Sequence, residues 1–136
     1  MDEIELAEAL RSSIGDFVRR VRVHDRMPAG QAAVLGHLDR GGASTIAGLA
    51  RLEQVKHQSM TRTVNLLEEL GRVAVRADER DARQVLVAIT PAGRAALDEE
   101  RRTRAGAIAA AMREVLDDGE VEVLRRVPAI LAKLHP

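Results

Sequence analysis

Between residues 72 and 93 the chain reads RVAVRADERDARQVLVAITPAG, and here its hydrophobic pattern changes from helical to extended. Valines alternate with other residues in 72–76, and 84–89 is a second run of β-forming side chains. The segment between them, 78–83, holds five charged residues and one alanine. Two extended segments this close together predict a β-hairpin with a charged tip.

Helical periodicity accounts for the rest of the chain. Four helices are predicted before the hairpin: one ending before Pro28, one from there to Gly41, a short one capped by Ser44 or Thr45, and one from about His57 to Leu70. Two more follow it: one from Pro91 to about Leu116 and one after the turn at 117–119, interrupted and kinked by Pro128. The predicted fold class is therefore mainly α (α+β), in the order α-α-α-α-β-β-α-α.

The composition is that of one folded domain. The chain has 136 residues, of which 46% are hydrophobic and 31% are charged. Its 21 basic and 21 acidic residues give a net charge of zero, which argues against binding nucleic acid through bulk positive charge. Phe17 is the only aromatic residue, so a base-stacking platform for single strands is excluded.

Missing residue types exclude several chemistries. Without cysteine there are no disulfides, thiolate metal sites or thiol redox sensors. The histidines at 24, 37, 57 and 135 are scattered, so no metal site is expected. Without a phosphate-binding glycine loop, HExxH or GxSxG, we expect neither an enzyme nor a cofactor, and the acids Asp117–Asp118 are interpreted as helix caps. No signal peptide or membrane-length apolar run is seen, so a cytoplasmic location is expected.

Two short helices joined by a tight turn and followed by a hairpin predict a winged helix-turn-helix, which presents one helix to a DNA major groove. From 54 to 67 there is no acid, and the polar residues are donors suited to base edges and phosphates: Lys56, His57, Gln58, Ser59, Thr61, Arg62 and Asn65. In the hairpin loop, Arg80 beside Arg83 suits a narrow minor groove, and Asp78 and Asp81 could pair with these arginines and hold the loop. The alternatives are a solvated helix face and a solvated ion-pair cluster.

Three segments carry a resemblance to MarR-family transcription regulators. Residues 55–71 look like the family's recognition helix, and 78–83 match its wing pattern D-x-R-D-x-R. Residues 85–93 are similar to the strand and the LTxxG entry to its fifth helix. The match covers essentially the whole chain and keeps the order of the helices.

This resemblance implies a domain layout and a homodimer. Residues 1–136 would form a single MarR-like domain, with the winged helix-turn-helix at 28–90. The segments 1–27 and 91–136 would supply the dimerisation helices, in agreement with their apolar seams. We therefore expect a bacterial-type, dimeric, sequence-specific regulator of transcription, foremost a repressor, on a pseudo-palindromic double-stranded operator with half-sites about one helical turn apart.

The resemblance also assigns contacts. Gln58, Ser59, Thr61 and Arg62 would approach bases and phosphates. Ser44 and Thr45 would approach phosphates, Lys56 and His57 are further candidates at the turn, and Arg80 would enter the minor groove, with Arg83 beside it. The alternative function is a winged-helix scaffold for protein contacts without specific DNA binding, which a titration with DNA fragments would distinguish.

Glu53 departs from the family pattern, which usually has an apolar residue at this place in the turn. Either the third helix is locally rotated, or Glu53 pairs with a nearby arginine such as Arg51 or Arg62. For this reason the sequence does not determine which side of the turn the side chains of residues 51–54 occupy.

A small-molecule effector of unidentified structure is a further expected partner, since many relatives are repressors released by phenolic ligands or oxidants. The absence of cysteine excludes the thiol route. A pocket would lie between the dimerisation helices and the winged module. Its candidate lining residues are Phe17, Arg22, His24 and His37, each of which is explained more simply as a structural or surface residue.

Overall fold

A computed structural model describes residues 1–135. The helices are α1 Glu3–Val21, α2 Ala29–Gly41, α3 Ile46–Glu53, α4 His57–Glu69, α5 Pro91–Val115 and α6 Asp118–Leu131, with a 3₁₀ turn at Arg22–His24. The strands are β1 Ser44–Thr45, β2 Val73–Ala77 and β3 Val85–Ile89. The predicted fold class and order are confirmed, and the two-residue strand β1 and the 3₁₀ turn are additions. Within 1–135 no helix is long and apolar enough to cross a membrane.

The chain divides into two compact units. One comprises residues 25–102, with α2 to α4, the three strands and the first turns of α5. The other comprises 1–24 and 103–135, with α1, the 3₁₀ turn, the rest of α5 and α6.

The core of the 25–102 unit is built around one face of α4. Met60, Val64 and Leu67 follow one another at four- and three-residue steps and are buried. They share a hydrophobic cluster with residues of α2, α3, the sheet and α5: Val34, Leu35, Leu38, Leu49, Val73, Val87 and Leu97. Because this face is buried, the polar face of α4 points to solvent.

The sheet joins the hairpin to the helix-turn-helix. Its strand order is β1-β3-β2, and both pairings are antiparallel. Val87 in β3 lies opposite Val75 on one side and Ser44 on the other. Thr45 also caps α3, since its hydroxyl oxygen accepts the Gly48 N–H at 3.0 Å.

Two polar contacts hold α5 against other parts of this unit. The carboxylate of Asp39 on α2 accepts hydrogen bonds from Arg94 and Arg101 on α5, both at 3.2 Å. These two guanidinium groups lower the pKa of Asp39, first through their hydrogen bonds. Glu100, which is buried, accepts the Arg26 N–H at 3.0 Å.

The ends of α6 test two sequence predictions. Asp117 is its N-cap and forms a capping box with Glu120, so the expected cap is confirmed. The predicted interruption at Pro128 is wrong, because α6 continues to Leu131. A proline this close to the end removes one backbone donor while leaving little helix to disrupt.

The helices of the other unit keep their apolar residues at the surface. Neither α1 nor α6 has a buried residue. The exposed large hydrophobic side chains on these helices are Ile4, Leu6, Leu10, Ile14, Phe17, Val18, Val123, Leu124 and Ile130. Such a large exposed apolar face is unusual for a monomer.

The junction between the hairpin and α5 depends on close backbone contact. The Thr90 hydroxyl donates to the Gly71 carbonyl at 2.6 Å, and its oxygen accepts the Gly93 N–H at 3.0 Å. The Thr90 N–H donates to the Arg72 carbonyl at 3.0 Å. A Cβ on Gly93 would lie far inside contact distance of that same carbonyl oxygen, so only glycine fits here.

Gly93→Ala should lower the free energy of unfolding by about 3 kcal/mol, because backbone atoms must move to admit the methyl group. Gly30→Ala on α2 is the control, since nothing lies within 4 Å of its added Cβ. That change should alter stability by less than about 1 kcal/mol. Urea unfolding of both variants measures the difference, and equal effects would contradict the close approach.

Candidate nucleic-acid interface

The exposed face of α4 carries most of the predicted contact residues. Gln58, Arg62 and Asn65 recur at four- and three-residue steps on the side away from the buried stripe. His57 and Ser59 are also exposed, as is the N-cap residue Lys56. Side chains on this face are free to reach a groove.

Thr61 differs from its neighbours on α4. It is half-buried, and its hydroxyl donates to the His57 carbonyl at 3.0 Å. A hydroxyl engaged in its own helix is less available to a base, so what Thr61 can offer outward is chiefly its methyl group.

The turn before α4 is sharp. Gln54 has φ 55° and is the only non-glycine residue with positive φ within 1–135. The Val55 N–H donates to the Ala50 carbonyl at 3.0 Å, as at a helix end followed by a left-handed residue. Two residues later α4 begins at His57, so the turn fixes where the recognition helix starts.

Asp81 organises the wing, the loop of residues 78–84. Its carboxylate accepts Nε and Nη2 of Arg83 at 3.1 and 3.2 Å, the Arg83 backbone N–H at 3.1 Å and Gln84 Nε2 at 3.3 Å. The Arg83 side-chain hydrogen bonds are the first cause of the lowered pKa of Asp81. The ionised carboxylate therefore stabilises this loop at pH values above its ordinary pKa of 3.8. This stabilisation is lost as the pH falls through the lowered pKa of Asp81 in the folded chain.

Asp78 does not form the ion pair with an arginine that the sequence predicted. Its carboxylate accepts the backbone N–H of Arg80 at 3.0 Å and makes no ion pair with the Arg80 guanidinium. Within the described part of the chain, that guanidinium has no hydrogen-bonded acid. The wing thus presents one arginine held by Asp81 and one whose side chain is unpaired.

An open cleft of about 710 Å³ lies between α3 and the wing. Ser44, Gly48, Arg51, Arg76 and Arg80 contribute to its lining, as do the acids Asp78 and Glu79. A Cβ on Gly48 would sit 2.8 Å from Ser44 Oγ and 3.9 Å from Arg51 Nη2, so the missing side chain leaves room beside both groups.

A second cleft also borders α3. It has a volume of about 340 Å³ and includes Thr45, Arg51, His57 and Arg83 in its lining. Arg51 thus borders both clefts, together with Thr45. Neither Arg51 nor Arg76 was predicted from the sequence to contact DNA, although Gly48, three residues before Arg51, indicated that this side of α3 is open.

The partner of Glu53 is not the expected arginine. Glu53 Oε1 lies 2.6 Å from Nε2 of His37 on α2, and neither Arg51 nor Arg62 pairs with it. This contact connects α2 to the end of α3. His37 is thereby structural, whereas Phe17, Arg22 and His24 belong to the other unit. The expected effector pocket stays a prediction.

Comparison with known proteins agrees with this geometry. A model of the MarR family matches residues 26–84. An HTH-type transcriptional regulator of Mycobacterium tuberculosis is 32% identical over 104 residues, which cover 76% of this chain and 72% of that protein. The chain belongs to the MarR family.

Two further similarities extend this result. The MarR-family chain is 42% identical to the transcriptional activatory protein BadR of Rhodopseudomonas palustris over 67 residues, which are 47% of the chain and 38% of BadR. A solved structure from Pseudomonas aeruginosa PA01 has a TM-score of 0.79 and 29% identity, and covers 98% of this chain and 97% of that one. The predicted family is confirmed, and the chain is a DNA-binding transcription regulator rather than an enzyme.

Asp81→Ala should loosen the wing, whereas Glu79→Ala should not. Both changes remove one negative charge from the same loop, but only Asp81 binds backbone and side-chain donors there. Amide hydrogen exchange at Arg83 should accelerate several-fold in Asp81→Ala and stay near the wild-type rate in Glu79→Ala. Equal exchange in the two variants would mean that Asp81 does not order the wing.

Proposed function

We propose that this chain forms a homodimer that binds double-stranded operator DNA sequence-specifically and represses transcription. Helix α4 would enter the major groove and a wing arginine the neighbouring minor groove. The observation that carries the proposal is the exposed polar face of α4, which has no acid before Glu68, beside a wing with an unpaired Arg80.

The exposed apolar faces of α1 and α6 support the homodimer. At about 25 cal/mol per Å² of apolar surface, covering them with a second copy would be strongly favourable. A twofold dimer in turn requires an operator with two related half-sites. In this proposal, residues 28–90 form the DNA-binding module, and residues 1–27 and 91–136 are the dimerisation segments.

The proposed contacts divide by chemistry. Gln58 and Arg62 would read base edges, since a carboxamide suits adenine and a guanidinium suits guanine. Thr61 would offer its methyl group to thymine. The hydroxyl, ammonium and imidazole groups around the turn would bind phosphates: Ser44, Thr45, Lys56, His57 and Ser59. We add Arg51 and Arg76 as phosphate contacts because both border the cleft between α3 and the wing.

Repression is the proposed outcome because a dimer on its operator occupies duplex that other proteins would otherwise use. BadR is named as an activatory protein, so activation is the second candidate. Transcription in vitro from a template carrying the selected operator separates the two outcomes by the sign of the change. The cytoplasmic location stays a prediction.

Selection from a random duplex pool tests the proposed function. The wild-type chain should enrich an inverted repeat with half-sites about one helical turn apart. Gln58→Ala should relax the preference at one position of each half-site, with about a tenfold loss on the operator, because base contacts specify sequence. Glu69→Ala at the far end of α4 should leave the selected sequence unchanged.

An unenriched pool would reject sequence-specific binding and favour the protein-scaffold alternative. Enrichment of a single half-site without symmetry would instead contradict the homodimer.

Arg80→Ala should weaken operator binding about tenfold and reduce the slope of log affinity against log salt by about two, because the homodimer would lose one DNA contact in each half-site. Arg72→Ala is the control, because Arg72 precedes β2 at the strand end opposite the wing, and it should change neither quantity. Fluorescence anisotropy at several salt concentrations measures both.

Arg83 is the other candidate for the minor groove, because Asp81 fixes its guanidinium while 90% of its side chain is exposed. A larger loss for Arg83→Ala than for Arg80→Ala would assign the minor groove to Arg83.

A further inference from the structure

Three side chains of α2 and α3 form a continuous hydrogen-bonded chain. Arg40 Nη2 lies 3.3 Å from His37 Nδ1, and His37 Nε2 lies 2.6 Å from Glu53 Oε1. The side chains of His37 and Glu53 are 21% and 28% exposed. Partial burial protects the short contact from competition with water, and so favours its persistence in solution.

The donor inventory fixes the proton positions in this chain. A guanidinium has only donors, so Nδ1 of His37 must accept from Arg40. Nε2 of the same ring therefore carries the proton and donates it to the Glu53 carboxylate. This short bond from the ring to an anionic acceptor is of the stronger, charge-assisted class.

Glu53 places these hydrogen-bonded side chains next to the turn that leads into α4. Glu53 is the last residue of α3, Gln54 turns the backbone with positive φ, and α4 begins at His57. Leu52, which precedes Glu53, is 60% exposed and adds little apolar anchoring. The bond to His37 is thus the polar contact that connects the end of α3 to α2, just before the recognition helix.

We propose that the Arg40–His37–Glu53 chain positions the start of α4 for reading DNA, with His37 and Glu53 as positioning residues that do not contact the duplex. This inference rests on the proposed DNA binding. Base contacts need the first turn of α4 in a defined place, whereas phosphate contacts tolerate displacement. The hydrogen-bonded side chains Arg40, His37 and Glu53 therefore contribute more to the discrimination between operator and random DNA than to the affinity for DNA in general.

The bond also offsets a charge. Glu53 is an acid in the turn that leads to the DNA-facing helix, where an unpartnered carboxylate would repel phosphates. Its partners supply an N–H donor from His37 and, behind it, the positive charge of Arg40. An apolar residue would avoid the charge but would not form the bond.

The ratio of operator affinity to random-duplex affinity tests the proposal. Glu53→Ala and His37→Ala should each lower this ratio about tenfold. Glu53→Gln retains an acceptor and His37→Gln retains a donor, so both should stay within about threefold of wild type. Glu69→Ala is the charge-matched control and should leave the ratio unchanged. An unchanged ratio in both alanine variants, or no rescue by the glutamine variants, would overturn the positioning role.

Two measurements stand apart from DNA binding. Nitrogen-15 NMR of the wild-type chain at pH 8 should show His37 protonated at Nε2, and protonation at Nδ1 would overturn the assignment. Amide exchange at residues 54–58 should accelerate in Glu53→Ala and not in Glu69→Ala, and equal exchange would also count against the proposal. If wild type shows no operator preference, the proposed function fails, while these two measurements still decide whether the chain of bonds positions α4.

Discussion

The burial of one face of α4 is the constraint on which the rest of the winged unit depends. Met60, Val64 and Leu67 can leave water only by packing in the cluster that α2, α3, the sheet and α5 share with them. Once they do so, the opposite face has to point outward with its donors. Core formation and presentation of the polar face are therefore one event.

The net charge of zero is a sum over unlike regions of the chain. Acids are frequent at 2–8 and 114–122, while 54–67 has none. In the wing, Asp81 is bound to Arg83 and Asp78 to backbone, so both acids are occupied in holding the loop. A regulator with this distribution should bind random DNA weakly, which leaves a larger share of operator affinity to specific contacts.

The sequence predicted those features that depend on local periodicity. The stripe of α4, the hairpin and the cap at Asp117 each follow from residues a few positions apart. Strand β1 was missed because two residues have no period. The partner of Glu53 was missed because His37 lies 16 residues away on another helix, where spacing gives no information. Arg51 and Arg76 become neighbours only when β1 brings α3 to the hairpin.

Ser44 and Thr45 serve the sheet and α3 at the same time. They pair with β3 as a strand, and the Thr45 hydroxyl oxygen begins α3. The wing and the helix-turn-helix consequently share a backbone joint without a flexible linker, and neither can shift far without the other. On DNA bound as proposed, the protein sets the distance between the wing and the helix-turn-helix. The duplex must therefore deform until the spacing of its grooves matches that distance. Base pairs that no side chain contacts would then influence affinity through their stiffness.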